Sequence, residues 1–339
     1  MSYLAFDSIA EHEKHISIGI SACLLGMEVR YNGGHKRDAL LLQQLTPYVQ
    51  WVHVCPEVEM GMPIPRETIR LERSGKDPVD ESRWTPESTR LMAPKSGTNY
   101  SEPMLEFSHR RVAELMTLDL DGFILKKGSP SCGMERLPVY GPDKGRAIRK
   151  GVGYFSAVLM DRMPYLPVEE EGRLNDSKLK ENFIERVFAY RRLKEFIRSK
   201  PDRNAIVQFH TRHKLTFMSH NIADYRELGR LVANQAQIEP ETFLNTYQRA
   251  FMQGLKAKAT VKRHTNVLYH ILGYFKKCLA RIDREELVEL VEAYRLGRVP
   301  LVVPMTLIRH HLRHHSIPWL EQQVYLNPYP EELMLRNSI

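Results

Sequence analysis

The chain has 339 residues, of which 42% are hydrophobic and 27% charged, a composition typical of soluble globular proteins and a length typical of two domains. The N-terminal stretch MSYLAFDSIAEHEKH lacks the apolar segment of a signal peptide, and the late apolar run VPLVVPM is too short to span a membrane. We therefore expect a cytoplasmic protein without membrane association, whose four cysteines are reduced thiols or metal ligands rather than disulfides.

The net charge of +8 is unevenly distributed along the chain. Residues 1–168 contain 21 Lys and Arg against 21 Asp and Glu, whereas residues 169–339 contain 28 against 20. A basic module joined to a neutral one indicates a polyanionic partner, most commonly RNA or DNA. A basic surface retained for solubility is the alternative interpretation.

The first half alternates apolar, β-branched segments with segments of helical spacing, which predicts strands joined by crossover helices. In chain order these segments are HISIGISAC, DALLLQQLTPYVQ, WVHVC, HRRVAELMTLDL and GFILKK. We predict an α/β, Rossmann-like domain with a parallel sheet. The polar stretch from Thr68 to Tyr100 interrupts the pattern, and its composition predicts an insertion or a lid.

The segment MPYLPVEEEGRLND, residues 163–176, marks a domain boundary through its prolines, consecutive glutamates and glycine. Beyond it, apolar residues recur at a spacing of three and four with little alternation, which predicts an all-α domain. We therefore predict a catalytic domain over 1–167, a linker over 168–178 and a helical domain over 179–339.

Three cysteines follow predicted strands of the first domain. Cys23 comes after ISIGISA, Cys55 after WVHV and Cys132 just past GFILKK. Ligands of open α/β sheets bind beyond the carboxyl ends of the strands, so these thiols converge if the strands are neighbours. Three thiolates suit zinc or an iron–sulfur cluster and leave one coordination position open, as in catalytic sites. Buried apolar cysteines are the alternative, and we assign Cys278 to helix packing.

Polar residues beside these cysteines suggest acid–base chemistry. Glu57 lies two residues after Cys55 and is a candidate general base for a metal-site water, or else a surface glutamate that caps a turn. Ser129 and Ser131 are candidates for proton donation or for hydrogen bonds to cluster sulfur, although turns also favour serine. The pair Lys126 and Lys127 is a candidate phosphate contact or a solvated strand end.

The segments SACLLGMEVRYNGGHK, VHVCPEVEMGMPIPRE and FILKKGSPSCG resemble the three signature segments of the thiouracil desulfidase family. This resemblance covers residues 14–165. Residues 180–335 resemble the YbgA-like helical domain through FHTRHKLTFMSHN, YRELGRLVA, TNVLYHILGYFKK and RVPLVVPMTLIRHH. The fusion of the two domains is similar to that of desulfidases that remove sulfur from 4-thiouridine in tRNA.

The resemblance implies a [4Fe-4S] cluster bound by Cys23, Cys55 and Cys132, with the fourth iron free to take the sulfur of a thiocarbonyl. It also implies that Glu57 is the acid–base carboxylate and that Ser129, with Ser131 as second candidate, assists proton transfer. Neither a redox change nor an organic cofactor is expected. The chemistry is consistent with these residues, because attack of water on a C=S carbon needs a base and a stabilised sulfur.

The resemblance further implies tRNA as the partner, selected by shape and contacted at its phosphates, with the thiolated base extruded toward the cluster. The candidate contacts are Lys126, Lys127, Arg191, Arg192, Arg212, Lys214, Lys258, Lys262 and Arg263. For each of these basic residues a solvated surface is the alternative. Two other functions stay open: desulfidation of free thiouracil or thiouridine nucleotides, and RNA binding without catalysis around a structural cluster or zinc. No pattern in the sequence indicates an oligomeric state.

Overall fold

A computed structural model of the chain describes residues 16–76, 82–141 and 147–337. The chain forms two compact units, Met1–Asn175 and Asp176–Ile339. The first combines strands and helices and the second is helical, so the predicted fold class is confirmed. No helix among the described residues has the length and apolar character needed to cross a membrane.

The described strands of the first unit form two sheets. Its strands in chain order are β1 (Ile16–Ser21), β2 (Val49–Val54), β3 (Arg70–Arg73), β4 (Thr89–Met92), β5 (Gly122–Leu125), β6 (Leu137–Tyr140), β7 (Ile148–Gly151) and β8 (Val168–Glu170). One sheet is entirely parallel and has the strand order β2-β1-β5-β8. Its central strands are buried on both faces, which explains why they read as continuous apolar runs rather than as alternating patterns.

Helices of the first unit cover or terminate these strands. They are α1 (Ala39–Leu45), α2 (Pro56–Glu59), α3 (Ser101–Thr117) and α4 (Tyr154–Arg162). A close approach between neighbouring strands depends on Gly19, because a Cβ at this position would lie 2.2 Å from the Phe123 ring. The helices and the sheet together place every loop that follows β1, β2 and β5 at the same edge.

The polar stretch from Thr68 to Tyr100, predicted to be an insertion or a lid, contains two strands that the composition did not reveal. These are β3 and β4 of the second sheet, whose order is β4-β3-β6-β7. Leu71 and Leu91 are 1% and 0% exposed, so each of these short strands buries one face. The composition misled the prediction because four-residue strands contribute few apolar side chains among their charged neighbours. Residues 77–81 of this stretch lie outside the described residues.

The span predicted as a linker, 168–178, contains β8, which pairs with β5 in the parallel sheet. Its consecutive glutamates resemble a solvated connector, but they have partners inside the first unit. The Glu170 carboxylate accepts a hydrogen bond from the Met134 amide at 2.8 Å, and Glu171 forms an ion pair with Lys126. The division between the units consequently lies after this strand, at the start of the first long helix of the second unit.

The helices of the second unit are α5 (Ser177–Arg198), α6 (Arg203–Arg212), α7 (Lys214–His220), α8 (Ile222–Ala233), α9 (Pro240–Gly254), α10 (Val261–Phe275), α11 (Arg281–Arg295), α12 (Val302–His314) and α13 (Pro318–Glu321). Their apolar faces meet in a core that includes the fully buried rings of Tyr247, Phe251 and Phe275. Cys278, just beyond α10, is partly buried against this core and donates to the Phe275 carbonyl, in agreement with a packing role.

Candidate functional site

Three thiols line one cavity of about 270 Å³ beyond the carboxyl ends of β1, β2 and β5. Cys23 lies in the short 3-10 turn after β1, Cys55 caps the start of α2 directly after β2, and Cys132 lies in the turn after β5. The parallel pairing of these strands brings together residues that are far apart in sequence. The structure thus brings the three predicted thiols to one cavity.

Burial keeps these thiols protonated in the absence of a cation. It is the largest cause that raises the pKa of Cys23, to about 11, and that raises the pKa values of Cys55 and Cys132. The proximity of Cys55 raises the pKa values of both other thiols further. Three thiolates can therefore coexist here only when a positively charged centre compensates them.

The donor set consists of three sulfur atoms, which are soft metal ligands. Such a set suits zinc or an iron–sulfur cluster, in which each thiolate binds a different iron. Three donors of this type around one cavity are compatible with a cluster that has one iron without a protein ligand.

Glu57 in the first turn of α2 has its carboxylate held from two sides. Arg66 donates from Nε and Nη2 to Oε2 at 2.9 and 2.6 Å, and Ser131 donates from Oγ to Oε1 at 2.7 Å. The Arg66 side chain is only 4% exposed, and its Nη2 also donates to the Val29 carbonyl at 2.9 Å. The guanidinium therefore fixes one carboxylate oxygen and leaves the other facing the serine.

The two serines form a hydrogen-bonded chain with this carboxylate. Their Oγ atoms lie 2.8 Å apart, and Ser129 Oγ lies 3.4 Å from Glu57 Oε1. Ser131 is 1% exposed, whereas Ser129 is half-buried, and its Oγ also accepts from the Cys132 amide at 3.2 Å. Ser131 thus makes the shorter contact with Glu57, and Ser129 is the end of the chain that a ligand can reach.

The turn that carries these serines is fixed by the start of α4. The Tyr154 and Phe155 amides donate to the carbonyls of Pro130 and Ser131 at 3.2 and 3.0 Å. A Cβ at Gly153 would lie 2.6 Å from the Ser131 carbonyl oxygen, so only glycine allows this close approach. The positions of the serines and of Cys132 are therefore set by the scaffold and not by a mobile loop.

The two lysines after β5 line the same cavity but differ in environment. Lys126 forms an ion pair with Glu171 and donates to the Lys127 carbonyl at 2.9 Å. The Lys127 side chain is exposed at the rim. A phosphate contact at this rim would therefore fall to Lys127 rather than to Lys126, whose charge is already compensated.

The basic residues predicted to contact RNA separate into two groups in the second unit. Arg212, Lys258 and Lys262 are exposed, and Lys214 is half-buried. The other three make internal bonds: Arg191 to Glu195, Arg192 to the Pro328 carbonyl, and Arg263 to the His220 carbonyl. Arg192 and Arg263 thereby join different segments of the helical unit, whereas Arg191 pairs within α5.

Comparisons with known proteins match the two units of the chain to two different families. The family described as 2-thiouracil desulfurase matches residues 18–171, and the family described as a protein of unknown function, DUF1722, matches residues 214–330. Protein YbgA of Escherichia coli (strain K12) is 31% identical over 166 residues, which cover 49% of this chain and 98% of YbgA. Protein YbbK of Bacillus subtilis (strain 168) is 30% identical over 158 residues, which cover 46% of this chain and 97% of YbbK.

A solved structure, that of the [4Fe-4S]-dependent thiouracil desulfidase TudS, is 28% identical and has a TM-score of 0.36. The similarity covers 48% of this chain and 94% of that one. The family matches and the relatives YbgA and YbbK together show the family of each half. The chain belongs to the 2-thiouracil desulfurase family through its first half and to the DUF1722 family of YbgA through its second.

Proposed function

We propose that this protein removes sulfur from 4-thiouridine in tRNA with the help of a [4Fe-4S] cluster bound by Cys23, Cys55 and Cys132. The observation that carries the proposal is the convergence of three thiols, a carboxylate and two serines on one cavity. The name of the similar TudS enzyme, a [4Fe-4S]-dependent thiouracil desulfidase, supports the choice of cofactor.

The protein residues around the cavity suit hydrolytic exchange of sulfur for oxygen. A cluster with one iron not bound by protein supplies a thiophilic Lewis acid for the sulfur of the thiocarbonyl. Glu57 accepts a proton from the attacking water through Oε1, the oxygen that Arg66 leaves unoccupied. Water supplies the oxygen, sulfide leaves, and no electrons are gained or lost.

The serine chain provides a path for the proton that Glu57 receives. From Glu57 Oε1, contacts of 2.7 Å to Ser131 and 2.8 Å between the serines lead to the half-buried Ser129. A proton moved along this path can reach the departing sulfur or the base. Because hydroxyl groups both donate and accept, the same path resets Glu57 for the next turnover.

RNA as the substrate is supported by the charge of the second half. Residues 169–339 carry 28 basic against 20 acidic residues, and such an excess favours a polyanionic partner. The thiols line a cavity beyond the strand ends, so a base in tRNA has to leave its stack to reach them.

The test is anaerobic cluster reconstitution followed by incubation with tRNA that contains 4-thiouridine. Nucleoside analysis should show conversion to uridine with release of one sulfide for each base, and protein without cluster should leave the tRNA unchanged. Retention of 4-thiouridine after incubation with fully reconstituted protein contradicts the proposal.

A second candidate substrate is free thiouracil, which the description of the first-half family favours. The two substrates are distinguished by comparing kcat/KM for 2-thiouracil and for thiolated tRNA at increasing salt. Phosphate contacts make tRNA turnover strongly salt-dependent, whereas turnover of an uncharged base is affected little. A higher kcat/KM for the free base at physiological salt would assign it as the main substrate.

A further inference from the structure

The helical unit contains a cavity of its own, of about 250 Å³, that the proposed desulfidation does not use. It lies where α5 and α10 begin, and Tyr294 of α11 and Arg336 near the C-terminus also line it. One water molecule occupies roughly 30 Å³, so the space is sufficient for a small organic group.

The innermost charges of this cavity are balanced. His220 Nδ1 lies 2.5 Å from the Ala257 carbonyl oxygen, and its Nε2 lies 3.1 Å from Glu185 Oε2. Both neighbours are acceptors only, so both ring nitrogens must carry a proton and His220 is an imidazolium. Arg336 similarly donates to Glu181 Oε1 at 3.3 Å. Each acidic side chain of the cavity wall thus has its own cation.

The remaining cations lie at the rim and leave the cavity with a net positive charge. Lys178 and Lys258 line the cavity and are exposed. The N-terminal ends of α5 and α10 add partial positive charge at the same place, because Ser177 and Val261 also line it. Asp176 caps α5, accepts from the Leu179 amide at 2.9 Å and interacts electrostatically with Lys178 and Lys258, so its carboxylate offsets one of the two lysine charges. The positive charge that remains favours an anionic group at the rim.

The polar network of the wall is also incomplete among the residues that the structure describes. Glu185 Oε1 and Arg336 Nη2 are buried without a hydrogen-bond partner and lie 4.0 Å apart. Glu185 is 3% exposed and Arg336 9%, so neither atom is satisfied by bulk solvent. The two atoms form a long ion pair with each other, and each keeps hydrogen-bonding capacity that a polar group inside the cavity can satisfy.

We propose that this cavity binds one nucleotide of the RNA substrate, with its phosphate between Lys178 and Lys258. The proposal rests on RNA being the substrate, as proposed above. The wall combines the rings of His264 and Tyr294 with apolar Val261 and Leu301, a mixture suited to a nucleoside. Phosphate at a cationic rim and a nucleoside inside together match one nucleotide and not a bare anion.

The test compares two double variants of the full-length reconstituted protein. The rim variant, Lys178→Ala with Lys258→Ala, removes both lysine charges from the rim of the cavity. The control variant, Lys276→Ala with Lys277→Ala, removes the same charge from exposed positions just beyond α10. We expect the rim variant to bind tRNA at least tenfold more weakly and to lower the slope of log affinity against log salt by about 1 to 2. The control variant should change affinity less than threefold. Turnover of tRNA should fall relative to turnover of free 2-thiouracil.

Two further measurements test whether the cavity binds a nucleotide or only a phosphate. Uridine 5′-monophosphate should raise the Tm of the unmodified protein but not of the rim variant, and inorganic phosphate should have a smaller effect. Unchanged tRNA affinity in the rim variant overturns the proposal, even if the free nucleotide binds. Equal losses in both variants also overturn it, because they indicate diffuse charge. If no substrate is desulfurised but the rim variant still binds tRNA more weakly than the control variant, nucleotide binding in the cavity is supported and the proposed desulfidase function is wrong.

Discussion

The thiol-lined cavity of the α/β unit and the cavity between the helices of the second unit differ in what compensates their buried ionisable groups. In the α/β unit, burial raises the pKa values of Cys23, Cys55 and Cys132, and the thiols reinforce one another. In the helical unit, burial alone would raise the pKa of Glu185, but the charge of His220 lowers it below its usual range. The first cavity therefore requires an added cation to ionise its groups, whereas the innermost acidic groups of the second are compensated by cations of the protein itself.

The largest expected effect follows from this need for an external cation. Cys132→Ala removes one of three sulfur donors and should abolish both the cluster and all desulfidase activity. Visible absorbance and iron content after anaerobic reconstitution measure the first, and sulfide release measures the second. Cys278→Ala, in the helical unit, is the matched control and should retain both. A full complement of iron and activity in the Cys132 variant would falsify the three-thiol site.

A separate, smaller effect is expected from the carboxylate beside the thiols. Glu57→Gln keeps the shape of the side chain but removes the base, so kcat should fall by about 10²–10⁴ with unchanged cluster absorbance. Glu114→Gln, whose side chain is 53% exposed on α3, is the control and should behave like the unmodified protein. Normal turnover by Glu57→Gln would assign proton abstraction to another group.

The serine chain allows a further test of the proposed proton transfer from Glu57. Ser131→Ala breaks the 2.7 Å contact with Glu57, and we expect it to lower kcat by about tenfold to a hundredfold. Ser129→Ala removes a group that also accepts from the Cys132 amide, so its loss should affect cluster retention as well as kcat. The two variants are compared by single-turnover kinetics at equal iron content. The relay is wrong if Ser131→Ala turns over normally at full iron content.

Much of the candidate site was predictable because each of its residues has a local signal in the sequence. Each cysteine stands at the end of an apolar strand, and Glu57 follows one of them by two residues, so parallel pairing suffices to bring them together. Arg66 lies in the segment VHVCPEVEMGMPIPRE, but the sequence alone does not indicate its role. Its contact with Glu57 depends on how the intervening loop returns, which spacing does not reveal. The ending Pro-x-Pro-Arg was the available signal.

Exposure in the helical unit was less predictable because it depends on packing between helices. Arg192 and Arg263 occur in basic runs that read as surface, yet both donate to backbone carbonyls of other segments. The strands β3 and β4 were missed for a related reason: charged outward residues hide a single buried position such as Leu71. Composition reports the charges of a segment but not which side of it faces the core.

The buried ion pair between His220 and Glu185 should stabilise the helical unit. Glu185→Gln removes the carboxylate that raises the pKa of the buried His220, so His220 either stays charged without a counterion or loses its proton. Removing one partner of a buried ion pair costs about 3–5 kcal/mol. Denaturant unfolding of the full chain, followed by a probe of the helical unit, measures this cost. Glu285→Gln removes the partner of an exposed pair with Arg281 and should change stability by less than about 1 kcal/mol. Equal effects of the two substitutions would show that the buried pair is not balanced as described.

The smallest expected effect is the pH dependence of that pair. Burial opposes the charge of His220, but Glu185 raises its pKa above 6.5, so its stabilisation is complete below pH 6.5 and is lost as pH rises through the raised value. The lowered pKa of Glu185 acts oppositely: its stabilisation is complete above pH 4.5 and is lost as pH falls through the lowered value. The pair therefore contributes most between pH 4.5 and 6.5. Unfolding of the helical unit at stepwise pH should show a decline above this window that His220→Gln removes. A decline of equal size in that variant would assign the pH dependence to other groups and leave the pair without a measurable share in it.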